Sequence, residues 1–254
     1  MSQWLQNLVD MPVLLFVTSL VALWLSSWAG AKIRSAHTDE PEHFGIVLGA
    51  TLTLLGLIIG FTFSMAIGRY DQRKNYEEEE ANAIGTEYVR LDLLPAASAA
   101  NLRLLLRRYL DQRILFYTTR DPRELAQVNE VAAHLQTELW AAVQLPASAQ
   151  PSPVVALAVS GMNDVLNSEG YTQAAWWNRI PVEGWALMAV IAVCANLLLG
   201  HGLRQSQSKK ALLLVIPFIL SISFFLIADI DCPRGGLILV SPRNLISLSH
   251  SLRP

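Results

Sequence analysis

Phe44-Gly45-Ile46-Val47-Leu48-Gly49-Ala50 opens a run of 25 residues, Phe44 to Gly68, without an Asp, Glu, Lys or Arg. It continues as Arg69-Tyr70-Asp71-Gln72-Arg73-Lys74-Asn75-Tyr76-Glu77-Glu78-Glu79-Glu80. From there it reaches Leu94 with no proline and with Gly85 as its only later glycine. An uncharged run of about 20 residues is what a helix needs to cross the hydrocarbon core of a bilayer. The residues after it have the composition of a helix in water. The stretch predicts one long helix, half in lipid and half outside it.

Three further uncharged runs are long enough to span: Met11 to Ala31, Gly184 to Leu203 and Ala211 to Ala228. Backbone polar groups in lipid must bond internally, so each run is read as a helix. The first is preceded by Asp10 and by no Lys or Arg, and it is long for the core of a signal peptide. It is therefore read as a retained span, with Trp4 as an interfacial anchor. Of the 254 residues 52% are hydrophobic and 16% charged, with a mean hydropathy of +0.35. Soluble domains carry closer to ~25% charged residues. A net charge of −2 with no basic stripe gives no case for nucleic acid. Cys194 and Cys232 form neither a disulfide framework nor a metal spacing.

The chain thus divides into residues 1–68 (spans one and two), 69–180 (a helical extramembrane domain), 181–228 (spans three and four) and 229–254 (a tail). The polar loop His37 to His43 holds two His and three carboxylates but reads as a hairpin connection, not a metal site. In the second span Gly45, Gly49, Gly56 and Gly60 fall within about 60° of one another at 100° per residue. Such a stripe lets backbones approach in lipid. It also suits a helix packed around an axis whose other face lines a pore. Beyond it, Glu77 to Glu80 cannot share a face, so one or two point inward and the rest are solvated.

In the domain, Ile84, Tyr88 and Leu91 make an apolar stripe. A second helix carries Leu102, Leu106, Tyr109 and Leu110 inward, with Arg103, Arg107, Arg108 and Arg113 on other faces. Asp121-Pro122 starts a third, running to about Leu145 with Leu125, Val128, Val131, Leu135 and Leu139 inward. Pro146, Pro151 and Pro153 read as a linker. A helix over about Val154 to Leu166 is expected to break at Gly170. His134 is the only histidine of the domain, and no nucleophile–base pair or phosphate loop appears, so no enzyme and no cofactor are expected.

Trp176, Trp177 and Trp185 read as an interfacial belt. Arg204 to Lys210 is a short connection, and Pro217 is a candidate kink in the fourth span. Asp229 and Asp231 at the end of that span mark either an ion path or a headgroup-level pairing with Arg234. Leu237 to Val240 could be extended, and Ser241 could cap a last helix. Four spans put both termini and the domain on one side. The Lys/Arg distribution does not decide which side, leaning slightly to short loops inside.

Gly56-Leu57-Ile58-Ile59-Gly60-Phe61-Thr62-Phe63-Ser64, Arg69-Tyr70, Glu79-Glu80-Ala81-Asn82-Ala83-Ile84-Gly85-Thr86 and Asp92-Leu93-Leu94-Pro95 resemble the bestrophin-like domain proteins of bacteria. So does the tail Asp229-Ile230-Asp231-Cys232-Pro233-Arg234-Gly235-Gly236, although an Arg is usual in that family where Cys232 stands. The family is in turn distantly similar to bestrophins, pentameric ion channels whose second helix lines the pore. The resemblance implies an all-α protein with four transmembrane helices, a helical domain between spans two and three, and a second helix continuing out of the membrane. It implies a homo-oligomer, a pentamer by analogy, in the bacterial inner membrane with a cytosolic domain and cytosolic termini. It makes Leu57, Phe61 and Ser64 the pore neck. In a symmetric assembly Arg69, Arg73, Lys74, Glu77 and Glu80 would repeat as charge rings, giving weak selectivity that leans to monovalent cations. The alternative is a non-conducting helical scaffold or sensor. The partners expected are the lipid bilayer, further copies of the chain and inorganic ions.

Overall fold

The computed structural model describes residues 8–33, 41–202 and 212–253. Trp4, the loop residues 34–40 and the connection 204–210 lie outside the described residues. So do the side chains of residues 41–43, and with them most of the candidate metal loop. The described chain is built from helices: α1 (Pro12–Lys32), α2 (Pro41–Arg90), a 3-10 turn (Leu91–Leu93), α3 (Ala96–Thr118), α4 (Pro122–Ala149), α5 (Pro153–Trp177), α6 (Val182–Gly202), α7 (Leu212–Asp231) and α8 (Arg243–Ser251). No strand occurs among the described residues, and Leu237 to Val240 form none. Four helices are long and apolar enough to cross a membrane.

The helix α2 is 50 residues long and runs unbroken through Gly68 and Gly85. At 1.5 Å per residue that is about 75 Å, more than twice a hydrocarbon core of about 30 Å. The remaining helices fall into two compact units, one of residues 1–70 with 179–239 and one of residues 71–178 with 240–254.

The first unit packs α1 against α6 and α7. Hydrophobic burial does not drive helices together in lipid, so close backbone approach and hydrogen bonds must. Gly30 of α1 sits on the Leu197 carbonyl and Gly200 of α6 on the Ser27 carbonyl, with no room for a Cβ at either. Ser26 Oγ donates to the Val193 carbonyl at 2.8 Å and Ser27 Oγ to Asn196 Oδ1 at 3.0 Å. Phe16 meets Phe218 and Phe225 of α7 edge-on. The apolar part of α2 contributes Leu55 and Ala66 to the same core.

The second unit packs α3, α4 and α5 around Leu102, Leu106, Leu110, Leu135, Leu139 and Met162. Asp121 caps α4, accepting from the Arg123 and Glu124 N–H groups, and Ser152 caps α5. The expected linker is shorter than read: α4 continues through Pro146 to Ala149. A proline in the last turn removes one bond, and the rest of the turn closes by Gln150 N–H to the Pro146 carbonyl. Gly170 does not break α5, which runs to Trp177. One helical glycine costs about 1 kcal/mol, less than the buried row Val165, Ser168, Thr172, Ala175 and Trp176 gains. In α4, Ala132 is buried where Val131 was expected, and Val131 is exposed. Trp176 belongs to no interfacial belt: it packs edge-on with Phe116 and Tyr117 in this unit.

Candidate functional site

From Leu55 to Glu87 the helix α2 has a buried side and an open side. Leu55, Thr62 and Ala66 are buried, and so are Arg73, Glu77, Glu80, Ile84 and Glu87. At 100° per residue these eight fall within about 90° of one another. Leu57, Phe61 and Ser64 lie on the other side, with Leu57 54% and Phe61 64% exposed and Ser64 exposed too. By helical phase Gly68, Asp71, Asn75, Glu79 and Asn82 continue that open side, with Glu78 at its edge. A Cβ at Gly45, Gly49, Gly56, Gly60 or Gly68 would meet nothing within 4 Å. Within one chain, then, the helical glycines packed on another helix's backbone are Gly30 and Gly200, which the sequence reading missed. Their signal was the small pairs Ser26/Gly30 and Asn196/Gly200, each four residues apart.

The polar half of α2 turns most of its charges inward. Arg73 Nε donates to the Ala175 carbonyl at 3.3 Å and Nη2 to the Asn178 carbonyl at 3.4 Å, closing the C-terminus of α5 with a cation. Glu77 caps α8: its Oε1 accepts from the Asn244 and Leu245 N–H groups at 2.9 and 3.0 Å, and its Oε2 from Asn244 Nδ2 at 2.7 Å. Ser241 supplies no side-chain cap there. Glu80 is paired with the fully buried Arg113, and its Oε2 also accepts from Tyr117 and Thr172, both at 3.2 Å. Glu169 lies 3.6 Å from the Arg113 Nη1. Burial pulls the Arg113 guanidinium down, and the Glu80 charge more than restores it, so it stays charged. Burial, reinforced by Glu80, pushes the Tyr117 hydroxyl up and keeps it a donor.

These contacts correct the charge-ring reading. Arg73, Glu77 and Glu80 are buried in the helical unit with partners there, and Arg113 is buried where it was expected on an outer face. Arg69 is mostly covered and lies 3.6 Å from Asp231. Lys74, Glu78 and Glu79 remain exposed. Of the four consecutive acids, two point inward, as helical phase requires.

At the end of the fourth span, Asp229 and Asp231 are buried. Asp229 accepts from the Leu237 and Ile238 N–H groups at 2.6 and 2.9 Å, folding the tail back on itself. Gly236 fits because a Cβ there would press on the Asp229 carbonyl. Asp231 accepts from Arg179 Nε at 3.0 Å and from the Ile180 N–H, while Arg179 Nη1 reaches Asp10 at 2.8 Å. Both aspartates are satisfied by the first unit's own groups. Among the described residues no group of three or more His, Cys, Asp or Glu is placed to hold a metal ion.

The architecture has solved counterparts. A bacterial bestrophin homolog from Klebsiella pneumoniae matches with a TM-score of 0.68 at 14% identity, covering 93% of this chain and 96% of that one. A point variant of a Klebsiella pneumoniae bestrophin homolog matches with a TM-score of 0.64 at 15% identity, covering 93% and 97%. A further structure, described as a membrane protein, gives 0.66 at 14% identity with coverage of 93% and 97%. At such identities the likeness concerns the fold. No curated protein matches the sequence. The bestrophin-like domain profile matches residues 13–245, and with the four apolar helices and the long second helix already in place, this integral membrane protein belongs to the bestrophin-like domain family.

Proposed function

We propose that the protein is a homo-oligomeric ion channel whose pore is lined by the open side of α2, with Leu57, Phe61 and Ser64 at its neck. The observation that carries this is the phase of α2. Leu57 and Phe61 stand opposite the face that joins the core, and they run in register with Asn75, Glu79 and Asn82. That face is exposed in both the apolar and the polar part of α2, which leaves it free to meet an axis of symmetry. The glycine stripe flanks Leu57 by about 60–120° and Phe61 by about 100–160°, and it is free for neighbouring copies of α2. Five copies around an axis, as the bestrophin analogy implies, would make a ring of Phe61 that gates by dewetting. The domain and both termini lie on the cytosolic side of the bacterial inner membrane in this reading. The Klebsiella bestrophin homolog supports it by fold alone.

Purified protein in planar bilayers decides between this and the non-conducting scaffold. Phe61→Ala widens and wets the neck and is expected to raise unitary conductance. A protein that is monomeric in detergent and silent in bilayers ends the channel reading. Currents untouched by both Leu57→Ala and Phe61→Ala move the pore away from this face.

A further inference from the structure

Glu87 stands apart from the other inward charges of α2. It is fully buried, yet neither carboxylate oxygen has a hydrogen-bond partner. Oε2 rests directly on Gly161 of α5, where a Cβ would collide with it and with the Arg90 guanidinium. Arg90 spans the same seam and lies 3.8 Å from Asp164 of α5. The charged groups acting on Glu87 are therefore Arg90 on its own helix and Asp164 on the helix packed against it. Glu77 and Glu80 each accept several hydrogen bonds; Glu87 accepts none, and a buried charge without partners is costly. A neutral carboxylic acid is the form this pocket fits.

We propose that Glu87 is a proton-binding site that sets the strength of the α2–α5 seam. Protonated, it seats on Gly161 and leaves Arg90 to Asp164, a hold between two helices. Deprotonated, it places a second carboxylate beside Asp164 and draws Arg90 to its own helix, so the hold between helices weakens. Only a proton moves, to and from solvent. Glu87 lies 19 residues beyond Gly68, outside the apolar run. Burial pushes its carboxyl up to about 8, Arg90 opposes this and Asp164 adds to it, so the transition falls near physiological pH. The sign follows from linkage. The folded state holds this proton up to a higher pH than the unfolded chain does. Stability therefore falls as pH rises between the ordinary glutamate value and about 8.

The inference rests on the fold, not on conduction, and its test needs no current. Infrared spectra of the purified wild-type protein should show a buried protonated carboxyl band that disappears on titration from about pH 6 to about pH 9.5. Glu87→Gln keeps the shape of the neutral side chain and should lack that band. The melting temperature of the wild type should fall between about pH 4.5 and about pH 8 and level off above it, and that of Glu87→Gln should fall markedly less. Asp164→Asn removes the partner of Arg90 and should lower the wild-type melting temperature chiefly at the acid end. A band that is absent at pH 7, that persists in Glu87→Gln, or parallel melting profiles for the two proteins would overturn the proposal.

Discussion

Glu80 and Arg113 form a buried ion pair in which every charge depends on the other. Removing one partner of such a pair strands the other and costs about 3–5 kcal/mol, whereas replacing both by apolar groups of similar volume is often neutral. Glu80→Ala is thus expected to destabilise the protein by about 3–5 kcal/mol in detergent thermal melts, and Glu80→Leu/Arg113→Met to recover most of that loss. Equal losses in the single and double variants would mean that the hydroxyls of Tyr117 and Thr172, and not the cation, dominate at Glu80. Charges of this kind are poorly legible in a sequence. Helical phase limits how many of Glu77 to Glu80 share a face, but it cannot say whether that face meets solvent, a pore or Arg113. Arg113 sits among Leu110, Phe116 and Tyr117, and nothing in its neighbours distinguishes it from the half-exposed Arg107. What decides is a partner 33 residues away.

At the scale of elements, the glycines of α1 and α6 and those of α2 should respond differently to the same change. A leucine at Gly30 or Gly200 must displace backbone carbonyl groups across the α1–α6 contact. Both variants are expected to reduce yield and melting temperature sharply. A leucine at Gly56 meets nothing within its own chain, so Gly56→Leu should leave the protomer folded and reduce the oligomer mass in detergent. An unchanged mass would show that this stripe faces lipid. The spans themselves were legible to within three residues at every described end except that of α2. Uncharged runs and lipid leave one solution for the backbone. The expectation for α2, from Phe44 to Leu94, lies within four residues of the helix and its 3-10 turn. The breakers read less well, because a glycine or a last-turn proline weighs about 1 kcal/mol or one hydrogen bond. A buried face of five residues outweighs either.

For the whole molecule, the four-span plan and the family were legible, because hydropathy and the motif around Gly60-Phe61 both survive in a single chain. The open side of α2 was not, since the sequence does not say which face meets the bundle. That face now defines the charges left for a conducting assembly: Asp71, Glu78 and Glu79, with Lys74 beside it in phase with the glycine stripe. They lie within about 12 Å along the axis, comparable to a Debye length of ~8–10 Å, so they act together. Three carboxylates against one ammonium per subunit predict a weak preference for monovalent cations. Under a KCl gradient the reversal potential should sit between zero and the potassium value, and Glu78→Gln/Glu79→Gln should move it toward chloride. A wild-type potential at the chloride value would refute the preference. The inward charges carry a different consequence, one of timing. Glu80 meets Arg113 after 33 residues and Thr172 after 92, Arg73 meets Ala175 after 102, and Glu77 meets Asn244 after 167. At translation rates of about 5–20 residues per second, Glu77 waits roughly 8–30 s in the nascent chain for the helix it caps. Glu77 is the last of these to be satisfied, so the ribosome delivers a membrane helix whose polar half must remain hydrated until the tail arrives to finish it.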